Sequence, residues 1–245
     1  MLQHDDSGVE ASKGVLVRSA TAALSLAAIC GLLAAAAIAA TEVGYSRSMT
    51  PGLIAHRERQ FGADARQRLT GWQGFVKETS APAEAARQPG EDRLLRAVNR
   101  FFNRIPAVSD LKQWGVEDYW ATPSEALGSN GADCEDYAMA KYFTLKELGV
   151  PVSRLRLVYA KTTRSRDAHL VLAYYPNPSA DPLILDNLVG SIESASDRSD
   201  LIPVYTFNDD DLLWPQAGAP TIRLASTSNR RWKDVLDKLQ AELTY

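Results

Sequence analysis

Asn130-Gly131-Ala132-Asp133-Cys134-Glu135-Asp136-Tyr137-Ala138 decides the reading of this chain, because a flexible turn runs straight into a helical segment with a cysteine at the junction. A helix N-terminus carries unpaired backbone N–H groups and a partial positive charge. Both stabilise a thiolate and lower its pKa, and the same N–H groups can hold an oxyanion. Downstream, Ala138, Tyr142, Leu145 and Leu148 recur at helical spacing until Gly149, so the segment from Cys134 to Leu148 presses one face into a core while presenting the thiol at its start.

The other cysteine, Cys30, lies in the apolar, Ala-rich stretch Thr21 to Ala40, which follows Lys13 and Arg18 and carries a small-x-small pattern at Ala37-Ile38-Ala39. Residues 1–40 therefore read as a signal peptide or, alternatively, as an uncleaved membrane anchor, since about twenty apolar residues suffice to span a bilayer. Either reading places the remainder outside the cytoplasm. Once the segment is removed, a single thiol is left in a compartment where structural thiols are usually paired. Burial as a small hydrophobe is the commoner explanation of an arbitrary cysteine, but the flanking Asp-Cys-Glu-Asp argues against a purely apolar setting.

Residues 41–62 read as a linker and the start of a helix, and 63–245 as one domain with its own core. A formal net charge of −3 with mixed signs leaves no basic tract for nucleic acid, and no glycine-rich phosphate loop, zinc spacing or repeat is present. Leu53 to Lys77 has helical spacing, Ala81 to Gly90 reads as a loop, and Glu91 to Asn103 is an amphipathic helix with Leu94, Leu95, Val98, Phe101 and Phe102 on one face. Thr122-Pro123 opens a short helix, with Gly128 to Gly131 as the turn that follows. Beyond Gly149, Leu155 to Ala160, His169 to Tyr175 and Pro182 to Asp186 are joined by connections of hairpin length and predict an antiparallel sheet. Ile202 to Phe207 and Thr221 to Leu224 add strands, and Arg231 to Leu243 a last helix. The fold class is α+β, with helices before the sheet.

His169 is the only histidine after the cysteine, at the head of a strand that would hold it rigidly. Asp186 ends the next apolar run, where it could accept from His169 Nδ1 and fix the tautomer. Taken singly, a strand histidine is often structural and a strand-end aspartate often a turn residue. Together they give Cys134, His169 and Asp186 at the ends of a helix and two successive strands, an arrangement for acyl transfer.

Gly-Ala-Asp-Cys-Glu-Asp-Tyr-Ala at 131–138, with Asp118-Tyr-Trp-Ala-Thr-Pro123 upstream and Ala168-His-Leu-Val-Leu172 downstream, resembles the bacterial transglutaminase-like cysteine proteinases of the LapG type, from about Ala63 onward. The resemblance implies a papain-like, transglutaminase-like fold, with Cys134 as nucleophile, His169 as base and Asp186 as orienting acid. It implies a periplasmic endopeptidase that hydrolyses a large surface adhesin near its N-terminus, after two alanines, and so disperses biofilm. It also implies control by sequestration on the periplasmic domain of a LapD-type inner-membrane receptor for cyclic di-GMP, the protease itself not binding the nucleotide. A transglutaminase-like acyltransferase and a non-catalytic exported binding module are the alternatives.

Asp133, Glu135 and Asp136 crowd the thiol with carboxylates that oppose its ionisation. Either they simply favour a helix N-terminus, or they hold a hard cation such as Ca2+. The resemblance implies calcium, with the remaining ligands unassigned. Trp120, fourteen positions before the cysteine, is expected to line the site or to supply an oxyanion N–H; core packing or a docking surface are its other readings.

Overall fold

A threonine followed by a proline opens two helices of this protein, in a computed structural model that describes residues 49–80, 90–163, 167–216 and 219–245. Thr50 Oγ1 accepts from Leu53 N at 3.1 Å and Pro51 begins α1 (Pro51–Phe61). Gly62, at φ 89°, ends it, and α2 (Ala63–Ser80) starts afresh. The continuous helix expected over Leu53 to Lys77 is thus two helices, broken at a backbone angle that α-helical residues do not adopt. The expected loop at 81–89 and the expected leader at 1–40 lie outside the described residues.

Helix α3 (Glu91–Phe102) buries Leu95, Val98 and Phe102 as its spacing predicts. A short α4 (Asp110–Trp114), unanticipated, precedes α5 (Pro123–Ser129), where Thr122 accepts from Glu125 N and Glu125 Oε2 accepts from Thr122 N in a capping box. Helix α6 (Cys134–Glu147) is buried on every side from Asp136 to Leu145, not on one face. It lies at the centre, between α3 and α5 and the strands β1 and β2.

The seven strands are β1 (Leu155–Thr162), β2 (Ala168–Tyr174), β3 (Leu183–Leu185), β4 (Glu193–Ser194), β5 (Leu201–Phe207), β6 (Asp211–Gln216) and β7 (Ala219–Ala225). They form one antiparallel sheet in the order β4-β3-β2-β1-β5-β6-β7. Pro203 sits inside β5 where the register with β1 shifts between Tyr159 and Ala160, the place a residue without an N–H is tolerated. Leu157, Leu170, Leu172, Leu185 and Phe207 join the main core with α6, while Val158, Val171, Ala173 and Ile184 form a smaller cluster. Helix α7 (Arg230–Glu242) closes the core with Trp232, stacked on Phe143 at 5.5 Å.

A buried polar knot ties distant segments together. Glu242 Oε1 accepts from Arg57 Nη2 at 2.8 Å, Ser124 Oγ at 2.8 Å and Thr122 Oγ1 at 2.5 Å. The described residues fall in one compact unit, Gly44–Tyr245, and no helix among them is long and apolar enough to cross a membrane.

Candidate active site

The turn before the cysteine is fixed from both sides. Asn130, at φ 56°, takes the left-handed conformation that asparagine tolerates, and Ala132 is pinned by a parallel bridge: Val108 N donates to Ala132 O at 2.9 Å and Ala132 N to Pro106 O at 3.2 Å. At Gly131 a Cβ would stand 2.7 Å from Gln113 Oε1 and 3.1 Å from Val108 Cγ2, so the Gln113 side chain would have to move aside. Asp133 is the N-cap and Cys134 the first residue of α6, so its N–H is among those a helix leaves unpaired. Cys134 is half-buried and is the free cysteine among the described residues.

Its sulfur lies against β2, where the Leu170 backbone N–H donates toward it, and the thiol itself donates to Glu135 Oε2 at 2.9 Å. Burial, then the Glu135 carboxylate, push the thiol far above its ordinary value; the Leu170 N–H opposes them. His169, next to Leu170, is buried and places Nε2 2.8 Å from Asp186 Oδ1. The expected contact through Nδ1 is therefore made by the other nitrogen. Nε2 is the one further from the backbone, and it bridges the gap between adjacent strands to the end of β3. Nδ1 is left as the ring's second proton-accepting position.

Asp186 is held on all sides. Oδ1 also accepts from Leu188 N at 3.0 Å, Oδ2 accepts from Arg198 Nη2 at 2.7 Å, and the backbone oxygen accepts from Asn103 Nδ2 at 2.8 Å. Burial raises its pKa, but the His169, Leu188 and Arg198 contacts outweigh burial and hold the carboxyl well below the usual range. Arg198, itself buried and also paired with Asp200, went unseen in the sequence, because it lies in a polar stretch with no periodicity to mark it.

The carboxylates near the thiol divide differently from expectation. Asp110, Asp133 and Glu135 bring oxygens within 4.8 Å of one another. Asp136 turns away, its Oδ1 accepting from Ala121 N at 2.7 Å and its Oδ2 from Asp133 N at 3.4 Å. Asp110 takes its place; its Oδ2 accepts from Tyr119 N at 2.5 Å. Oδ1 of Asp110 and Oδ1 of Asp133 are buried without a hydrogen-bond partner. Burial first, then mutual repulsion, raises the pKa of Asp133, and burial likewise raises Asp110. Orphaned carboxylate oxygens facing one another are a donor set that fits a hard divalent cation. Asp110 carries no spacing signal, being separated from Asp133 by a whole helix and turn.

Trp120 is buried in the main core, its ring stacked on Phe207 at 5.9 Å. Its backbone is what approaches α6, through the Ala121–Asp136 bond. On the same helix, Lys141 is fully buried with Nζ lacking a hydrogen-bond partner, 5.8 Å from the Tyr137 ring centroid. Burial pushes its pKa down to about 7, the charge of Asp186 acting in opposition.

The model of the bacterial transglutaminase-like cysteine proteinases matches residues 73–201, a span holding Cys134, His169, Asp186, Arg198 and the acidic cluster. The chain belongs to this family. Among solved structures, Legionella pneumophila LapG treated with EGTA is 34% identical, covering 77% of this chain and 96% of LapG, with a TM-score of 0.65. The calcium-bound form of the same LapG is 35% identical over 76% of this chain and 97% of LapG, with a TM-score of 0.61. No curated protein sequence matches. This transglutaminase-like cysteine proteinase therefore has the α+β fold anticipated from its sequence, with the family's cysteine proteinase character.

Proposed function

We propose that the protein is a calcium-dependent periplasmic cysteine endopeptidase. The observation that carries the reading is a cysteine at the first position of a buried helix, packed against the backbone beside His169, whose ring is clamped by Asp186 at 2.8 Å. In peptide hydrolysis the Cys134 proton passes to His169 as Sγ adds to the scissile carbonyl carbon. The carbonyl oxygen takes the negative charge and is held by N–H groups at the start of α6, with the Trp120 backbone as the second candidate donor. The C–N bond then breaks as His169 returns the proton to the departing amine. Water, deprotonated by His169, hydrolyses the thioester and restores the thiol. Asp186 keeps the imidazole oriented and stabilises its cationic form.

Asp110, Asp133 and Glu135 are the residues that would hold calcium, and a bound divalent cation supplies positive charge that offsets the carboxylate repulsion raising the Cys134 pKa. Legionella LapG has been solved both calcium-bound and EGTA-treated, which supports the assignment. By the same kinship, the substrate is a large surface adhesin cut near its N-terminus after two alanines, releasing cells from biofilm. The protease is restrained by a LapD-type inner-membrane receptor that senses cyclic di-GMP.

The test is incubation of the protein with an adhesin N-terminal fragment. Wild type with calcium is expected to cut, and Cys134→Ala, His169→Ala or EGTA to abolish cutting, calcium restoring the last. Cutting that survives Cys134→Ala refutes the proposal, and incorporation of an added amine in place of hydrolysis identifies an acyltransferase.

A further inference from the structure

An open groove of roughly 400 Å3 is walled by α3 and its C-terminal extension on one side and by Gly190–Ile192 on the other. Arg96, Arg100 and Arg104 line the first wall at successive intervals of four residues. Arg96 is paired with Asp92 at 2.8 Å, but among the described residues neither Arg100 nor Arg104 has an ion-pair partner. In a chain of formal net charge −3, Arg100 and Arg104 thus stand together without an ion-pair partner among the described residues.

The groove is joined to the catalytic loop. Asn99, buried in its floor, donates from Nδ2 to Gly190 O at 3.1 Å, and Asn103 donates to Asp186 O at 2.8 Å. The loop that leaves Asp186 thus forms the second wall, and what lies along α3 lies beside the reaction centre. Four residues of α-helix advance about 6 Å. Two residues of extended chain advance about 6.6 Å. Carboxylates on alternate residues of an extended peptide therefore advance by nearly the same step as Arg96 and Arg100 along α3, which adjacent acids do not.

We propose that this groove is an exosite for an extended acidic segment of the polypeptide substrate, with Asp or Glu at alternate positions, flanking the bond to be cut. The inference rests on the protease reading for the identity of the occupant. Guanidinium–carboxylate pairs supply attraction and fix the strand's register along α3. Because the same groove borders the Asp186 loop, the exosite also sets the distance between the acidic segment and the scissile bond.

The experiment uses the full chain carrying Cys134→Ala and a fluorescein-labelled peptide with glutamate at every second position, read by anisotropy. Binding is expected to weaken with added salt and to fall at least about tenfold, about 1.4 kcal/mol, in Arg100→Glu/Arg104→Glu. That charge-reversed variant is expected to bind the peptide with lysine at the same positions, which a misfolded protein would not do. With Cys134 intact, two di-alanine peptides with and without the acidic flank are cut side by side, and the charge reversal lowers the ratio of their kcat/KM values by a similar factor. Equal binding of peptides with alternating and contiguous glutamates, or a ratio unmoved by the reversal, overturns the exosite. Salt-sensitive peptide binding with no cutting of any peptide overturns the protease reading and leaves the groove standing.

Discussion

Replacing Lys141 by methionine is expected to stabilise the protein, although the residue sits in the middle of the helix that carries the nucleophile. Its ammonium is fully buried and makes no hydrogen bond, and burial pushes its pKa down from an ordinary 10.5 to about 7. At 1.36 kcal/mol for each tenfold change in proton affinity, keeping this amine in the core costs about 4 kcal/mol at pH 7. The sign follows from which state holds the proton more tightly. The unfolded chain takes it up below about 10.5 and the folded chain only near 7, so stability is lost as pH falls through that interval and is level below it. Methionine fills a similar volume without the charge, and recovering on the order of 3 kcal/mol raises Tm by roughly 6–12 °C for a chain of this size. Thermal unfolding followed by circular dichroism at pH 7 and pH 10 reads both quantities. Lys141→Met should melt higher at pH 7, with the gap closing toward pH 10. A variant that melts lower than wild type at pH 7, with a gap indifferent to pH, refutes the reasoning and means the ammonium is stabilised where it lies.

Without calcium, the raised pKa values of Asp110 and Asp133 make the folded state the stronger proton binder, so the acidic cluster destabilises the protein increasingly as pH rises above about 4. Calcium at a hundred times its Kd should add about 2.7 kcal/mol, seen as a higher Tm; Asp110→Asn/Asp133→Asn should abolish that response, and an undiminished shift in the variant places the ion elsewhere. Arg198→Met, which strands Asp186 in a buried site, should destabilise by about 3–5 kcal/mol at neutral pH in denaturant unfolding. The depressed pKa of Asp186 gives a contribution present above the ordinary carboxylate value and lost as pH falls below it, so the Arg198→Met deficit should shrink in acid; an equal deficit at pH 3 and pH 7 argues against it.

Residues that announce themselves through local chemistry were legible without a structure. Thr122 and Pro123 state a helix start, Gly149 states a helix end, and the apolar runs around Leu157, Leu172 and Ile184 state strands, because each signal is confined to a few neighbours. The ends of those elements bring His169 onto Asp186 and set Cys134 against the Leu170 backbone next to it. Illegible were features made by the approach of distant segments. Asp110 reaches the acidic cluster across a helix and a turn, Arg198 reaches Asp186 from a strandless polar stretch, and Asp136 is drawn off by Ala121 N. Strand β6 was missed because Asn208 to Asp211 reads as a turn and Pro215 interrupts its apolar pattern. The all-round burial of α6 was missed too, since Lys141 and Thr144 are polar residues held in a core.

The bond between Thr122 and Glu242 spans 120 residues of sequence, and Arg57 reaches the same carboxylate from 185 residues away. The α5 cap closes locally through Thr122 and Glu125, but the buried Thr122 and Ser124 hydroxyls and the Arg57 guanidinium share a carboxylate that belongs to the fourth residue from the end of the sequence as given. A chain cut short before Glu242 keeps Cys134, His169 and Asp186 yet leaves Arg57, Thr122 and Ser124 without the acceptor they share, so the last helix turn is as much a part of this fold as the catalytic segment.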